Sequence, residues 1–224
     1  MSLTAAVSGC LVFLLSVSVI QGQNDWRMTY PSTQVCGLKR STVNIRCVYT
    51  FPSKIKDLDT KVKETIWFTK GTDIEPVDLK TDSEYSGRVQ YSSNNNDCTL
   101  TIRDLRESDS AEYKFRFITN QPGGKVTGKP GVTLSVTDLQ VEVTRPQHIL
   151  YPSWANLHCQ SSCPLPAPTS YIWYQNGQKI KEDRSPHYAN YIYYSPDSFS
   201  CAISGYEDFP SPPVCEFTFS LSLT

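Results

Sequence analysis

Short runs in which apolar and polar residues alternate recur along the chain. Val43, Ile45 and Cys47 are spaced two apart, as are Cys98, Leu100 and Ile102, and then Val132, Leu134 and Val136. A period of two puts one set of side chains on one face of an extended strand, the pattern of a half-buried β-strand. Trp26, Met28 and Tyr30 alternate in the same way and predict an early strand within 26–36. Thr65-Ile66-Trp67-Phe68 and Arg88-Val89-Gln90-Tyr91 predict two more. Turn residues separate these runs, at 94–97 and at Pro122-Gly123-Gly124. Helical periodicity is almost absent. Many short strands at regular spacing predict an all-β sandwich.

One stretch departs from the expected pattern. Residues 109–117 read Asp-Ser-Ala-Glu-Tyr-Lys-Phe-Arg-Phe. In a variable-type immunoglobulin sandwich, Asp-x-Ala-x-Tyr-x-Cys opens strand F; the Tyr makes the corner and the Cys bridges the two sheets. Phe115 stands here where that Cys would be. Alternation sends Phe115 into the core and Arg116 onto the open face of the sheet. Arg88 and Asp109 are expected to pair at the base of the domain, in a structural role.

A second cycle follows with only Thr137-Asp138 between. Leu139, Val141 and Val143 alternate, then Ala155, Leu157 and Cys159; Trp173 follows, and Asp197-Ser198-Phe199-Ser200-Cys201 repeats the corner with Phe for Tyr. This Cys…Trp…Cys order predicts a second immunoglobulin-like sandwich. The short interval from Trp173 to Cys201 suits a constant-type (C2) domain. The fold expected is thus two tandem immunoglobulin-like β-sandwiches, V-type over 23–137 and a short C2-type over 138–224. The linker should restrict motion between them.

Composition changes this picture at the N-terminus. The apolar run Leu11–Ile20 is too short to span a bilayer and lies where a secretory signal would, so 1–22 is expected to be removed near Gly22, with Ser18 the alternative. About 200 residues remain, enough for two ordinary domains. Net charge is −1, which argues against nucleic acid as a partner. Lys54, Lys56, Lys61 and Lys63 are interleaved with acids and read as a solvated loop. No later stretch is long and apolar enough to cross a membrane. The chain reads as extracellular, either secreted or the front of a single-pass receptor.

Export favours disulfides. Of eight cysteines, Cys10 lies in the expected signal segment, which leaves an odd seven. Six cysteines allow fifteen pairings. Cys159 and Cys201 occupy the usual inter-sheet positions. Cys98 shares the inward parity of Leu100 and Ile102, and strands B and E are neighbours, so parity favours Cys47–Cys98. Cys163 is poorly placed to pair with Cys159 four residues away. Cys36–Cys163 would then tie the domains together, leaving Cys215 as a free thiol or one with a partner outside the chain. Metal binding by His158, Cys159 and Cys163 is a weak alternative with the wrong spacing.

Four features together resemble the sialic-acid-binding immunoglobulin-type lectins, the Siglecs. They are Cys-x-Leu-Lys-x-Ser-Thr-Val-x-Ile-x-Cys over 36–47, Cys-Thr-Leu-Thr-Ile-Arg-Asp-Leu over 98–105, Tyr-Lys-Phe-Arg-Phe, and the Cys159…Cys163 doublet. The resemblance covers the whole mature chain and implies a B–E bridge, Cys47–Cys98, and a bridge between the domains, Cys36–Cys163. It implies sialylated glycans on glycoproteins or glycolipids as partners. It also implies that Arg116, matching the family's F-strand arginine, holds the sialic acid carboxylate. A guanidinium is planar, permanently charged and able to donate two parallel bonds. Trp26 matches a strand-A aromatic that packs the sugar's glycerol tail. Lys125 and Val126 neighbour the site on strand G, where several members carry an aromatic that this chain lacks. The family is usually membrane-anchored, with tyrosine motifs in its tail.

The bland readings differ. Arg116 would be a solvated arginine or part of a protein–protein face, and Trp26 a residue buried at the sheet edge. The tyrosines of 188–194 read better as strand E of the second domain than as a platform. His148, His158 and His187 are scattered and form no catalytic set. No phosphate loop or metal spacing occurs, so neither an enzyme nor a cofactor is expected. Two functions remain: a sialic-acid lectin of adhesion and immune recognition, or an immunoglobulin-like receptor or decoy that binds a protein partner.

Overall fold

In a computed structural model the described residues are 26–92, 96–144, 155–165, 168–190 and 197–215. The expected signal segment, residues 216–224 at the end of the expected C2-type domain, and residues 191–194 of the tyrosine run lie outside them. The first half carries β1 (Arg27–Thr29), β2 (Gln34–Leu38), β3 (Val43–Ile45), β4 (Val48–Thr50), β5 (Lys54–Ile55), β6 (Leu58–Asp59), β7 (Val62–Phe68), β8 (Val89–Ser92), β9 (Thr99–Ile102), β10 (Ala111–Thr119), β11 (Lys125–Thr127) and β12 (Val132–Thr137). The second carries β13 (Gln140–Thr144), β14 (Ala155–Gln160), β15 (Tyr171–Gln175), β16 (Gln178–Asp183), β17 (His187–Asn190), β18 (Ser198–Ile203) and β19 (Val214–Cys215). The chain is all-β, built as two tandem immunoglobulin-like sandwiches.

In the first sandwich, β3-β9-β8 faces a sheet ordered β11-β10-β12-β2, with β7 on the other edge of β10. The alternation read from the sequence supplies the core: Ile45, Trp67, Leu100, Ile102, Tyr113, Phe115 and Phe117 are enclosed. The single strand expected within 26–36 is two. β1 pairs with β4, whereas β2 pairs in parallel with β12. Pro31 lies between them, and a residue without an N–H cannot continue a ladder. The chain changes sheets there.

The base of this sandwich is a closed polar network. Arg88 makes two bonds to Asp109, at 2.7 and 2.8 Å, with both side chains buried. Asp109 also accepts the Arg106 amide at 2.8 Å. The Tyr113 hydroxyl donates to the Asp109 carbonyl at 2.8 Å, which fixes the corner from which β10 departs. Cys47 is linked to Cys98 with Cα atoms 5.1 Å apart, where strand B is interrupted between β3 and β4.

In the second sandwich β13-β14-β17 faces β16-β15-β18-β19. Leu157, Trp173, Phe199 and Ile203 form its core around the Cys159–Cys201 bond. Asn176-Gly177 joins β15 to β16 with φ of 51° and 76°, the left-handed pair that a tight hairpin needs. Tyr188 on β17 stacks on Trp173 at 5.6 Å. At the junction Cys36 and Cys163 are linked, Lys39 pairs with Asp138 at 3.2 Å, and the Arg40 guanidinium lies over the Phe209 ring. Cys215 is a free, exposed thiol.

Candidate functional site

β10 carries the site. From Tyr113 to Phe117 its odd-numbered side chains enter the core, so Arg116 takes the opposite face. There it is flanked across the ladder by Ile66 on β7 and Thr127 on β11. The expectation of an open arginine is corrected: Arg116 is only 7 % exposed. The hairpin of residues 70–77 covers it. Arg116 Nη1 donates to the main-chain carbonyl of Asp73 at the hairpin tip and to Thr127 Oγ1 at 3.1 Å.

Its Nε has no partner, although it is buried. Among the described residues no carboxylate forms an ion pair with this guanidinium. The Asp73 carboxylate is turned to Lys129 instead. Hydrogen bonding from Lys129 holds the Asp73 carboxyl below the usual carboxylate range. A permanently charged group with an idle buried donor is expensive to keep unless something supplies the missing acceptor.

The other expected ligand residues divide between the two faces. Lys125 stands opposite Ile118, on the Arg116 side of the sheet, and is exposed. Val126 stands opposite Phe117 and packs against the core, so only its backbone is available on the strand. Trp26 also packs against the core: its ring contacts are Phe51 at 6.4 Å and Phe117 at 6.0 Å. Parity explains the separation, because Phe117 and Arg116 are adjacent on one strand and point oppositely. The structure therefore brings Lys125 and Thr127 to the arginine's face and keeps Trp26 and Val126 on the other.

Two glycines let strand A approach the rim of this sheet. A Cβ on Gly124 would lie 2.9 Å from Trp26 Cη2, and one on Gly128 would lie 2.3 Å from both Met28 Sδ and the Tyr30 hydroxyl. Tyr30 uses that space to reach between strands, where its hydroxyl accepts the Phe115 amide at 3.1 Å. Burial pushes its phenol pKa up to about 12.

Sequence reasoning missed Asp73, Thr127, Lys129 and Tyr30. The turn expected at 122–124 hid Thr127: the observed register is centred between Gln121 and Pro122, and it is that register which pairs Thr127 with Arg116. Nothing local marks Asp73 or Lys129, because their roles depend on how a loop folds over a sheet.

Residues 38–139 match the family model of the first immunoglobulin-like domain of B-cell receptor CD22-like proteins. Over that span the chain is similar to the domain of an extracellular immune receptor, which supports the Siglec-type resemblance at a coarse level. Among solved structures, a chimeric titin Z1Z2 functionalized with a KLER exogenous peptide from decorin is 23 % identical, with a TM-score of 0.34, over 49 % of this chain and 92 % of that one. The titin domains Z1Z2 in complex with telethonin are 16 % identical, with a TM-score of 0.35, over 78 % of this chain and 87 % of theirs.

Proposed function

We propose that the chain is an extracellular immune-recognition ectodomain that binds terminal sialic acid, with Arg116 holding the sugar's carboxylate. The proposal takes 1–22 as a signal segment, 23–137 as the V-type ligand domain and 138–224 as a C2-type support. The observation that carries it is the donor inventory of Arg116. One nitrogen is occupied by neutral acceptors, and among the described residues no carboxylate is paired with the group and the buried Nε is unpartnered. A ligand carboxylate supplies what this group lacks, and supplies it bidentately. Lys125, exposed on the same face, adds a second cation. The backbone of Val126 can bond the sugar along β11.

A second reading has one specific observation behind it. Ile74, at the tip covering Arg116, is 81 % exposed, as an anchor for a protein partner would be. Glycan-array binding separates the two. A multivalent Fc fusion of both domains should bind sialylated glycans, lose that signal after sialidase treatment, and lose it again as Arg116→Ala. Equal binding by the parent and Arg116→Ala, or none by either, overturns the lectin reading.

A further inference from the structure

The hairpin over Arg116 has the parts of a displaceable latch. Its tip is a compact unit. The Thr72 amide donates to the Glu75 carbonyl at 3.1 Å, and Thr72 Oγ1 accepts the Ile74 and Glu75 amides at 3.3 and 3.0 Å. Its stem is anchored behind the tip. Val77 donates to the Lys70 carbonyl at 3.0 Å, and Lys70 is held by Asp82 and Glu84. Between stem and tip stands Gly71, at φ +90, where a Cβ would lie 2.4 Å from the Glu75 carbonyl. The chain turns there through a backbone conformation that a side chain would strain.

Two contacts bring the tip down onto the sheet. The Asp73 carbonyl oxygen takes a proton donor of Arg116, and the Asp73 carboxylate takes Lys129 from the segment following β11. Asp73 thus engages both cations through different oxygens. The first contact uses a donor that an incoming carboxylate would need. The second is a half-exposed ion pair, with side-chain exposures of 66 % for Lys129 and 32 % for Asp73. Such pairs are weak and yield to salt. A neutral carbonyl is also a poorer acceptor for guanidinium than a carboxylate.

We infer that the tip at 72–75 is an autoinhibitory latch, in which Asp73 caps the Arg116 guanidinium, Lys129 holds Asp73 in place, and a ligand carboxylate opens the site by displacing the Asp73 carbonyl. The identity of that ligand rests on the lectin reading; the latch does not. Because only the open fraction binds, the closed state lowers apparent affinity by the fraction closed. Loosening the Lys129 contact raises that affinity without adding any contact to the ligand.

The test uses the mature two-domain chain, with Lys129→Met and Asp73→Asn as independent ways of breaking the ion pair. Without ligand, phenylglyoxal labelling of Arg116 is followed by peptide mass spectrometry. Both variants should label about two- to fivefold faster than the parent, the span expected for loss of an exposed pair. Raising salt to about 0.5 M should accelerate the parent and leave the variants unchanged. With sialyllactose as probe, the variants should bind tighter by a similar factor, and Arg116→Ala should not bind. If labelling is equally fast in the parent and both variants, the latch is overturned, whatever binds. If labelling accelerates but sialyllactose binds to none of the chains, the latch stands and the lectin reading falls.

Discussion

The hydroxyl of Tyr30 accepts the backbone amide of Phe115 at 3.1 Å, so a strand-A side chain completes a hydrogen bond in the middle of strand F. Phe115 still gives its carbonyl to the Gly128 amide at 3.0 Å. Beyond that point β10 resumes pairing with β12 at Tyr113. Tyr30 therefore fills the interruption between β11 and β12 and holds the backbone next to Arg116 in register.

This contact predicts an alkaline signature. Burial favours the neutral phenol and raises its pKa from 10.0 to about 12. The unfolded phenol ionises first, so the stabilisation is fully present below pH 10 and is lost as pH rises through about 12. Denaturant unfolding between these limits should show stability falling with pH. The slope for Tyr30→Phe should be shallower by about one proton than for the parent. At neutral pH Tyr30→Phe should already cost about 1–3 kcal/mol, because it strands the Phe115 amide.

Arg88 and Asp109 lie beneath the corner from which β10 starts. Removing one partner leaves a buried charge uncompensated. Arg88→Ala or Asp109→Ala should each lower stability by about 3–5 kcal/mol, read from chemical denaturation of the first domain. A double-mutant cycle should show strong non-additivity, since the two side chains share one pair of bonds.

The two-domain junction predicts a separable effect. Cys36→Ser/Cys163→Ser removes the covalent tie between sandwiches whose cores are distinct clusters. Each domain should keep its own cooperative unfolding transition, while small-angle scattering shows a wider range of domain orientations. Cys159→Ser/Cys201→Ser should instead destabilise the second domain itself by about 2–5 kcal/mol.

How legible all this was in the sequence follows from what is local and what is not. Alternation is imposed by the strand backbone itself, so runs such as 43–47 and 98–102 displayed the sandwich, and the adjacency of Phe115 and Arg116 displayed two faces. Carried across the turn expected at 122–124, the same rule would have set Thr127 opposite Thr119; the observed register, with Arg116 opposite Thr127 and Phe117 opposite Val126, is centred earlier, between Gln121 and Pro122. Asn176-Gly177 carried a hairpin signal of equal clarity. The cover over Arg116 was not legible. Alternation states which face a side chain takes but not whether a loop returns over that face, and the 70–77 hairpin meets β10 through a backbone carbonyl that any residue could offer. Trp26 was left between ligand contact and burial at the sheet edge for a related reason: its neighbour on strand F is Phe117, and that contact depends on the small size of Gly124 rather than on any feature of strand A.

On the lectin reading, the idle donor of Arg116 awaits a carboxylate. The direct measurement is a titration of the ¹⁵N-labelled two-domain chain with sialyllactose, following the Nε–H signal of Arg116. A progressive downfield shift is expected, one that saturates, is absent with lactose, and is accompanied by changes along β11. An Arg116 signal that stays in place through a full sialyllactose titration would contradict it.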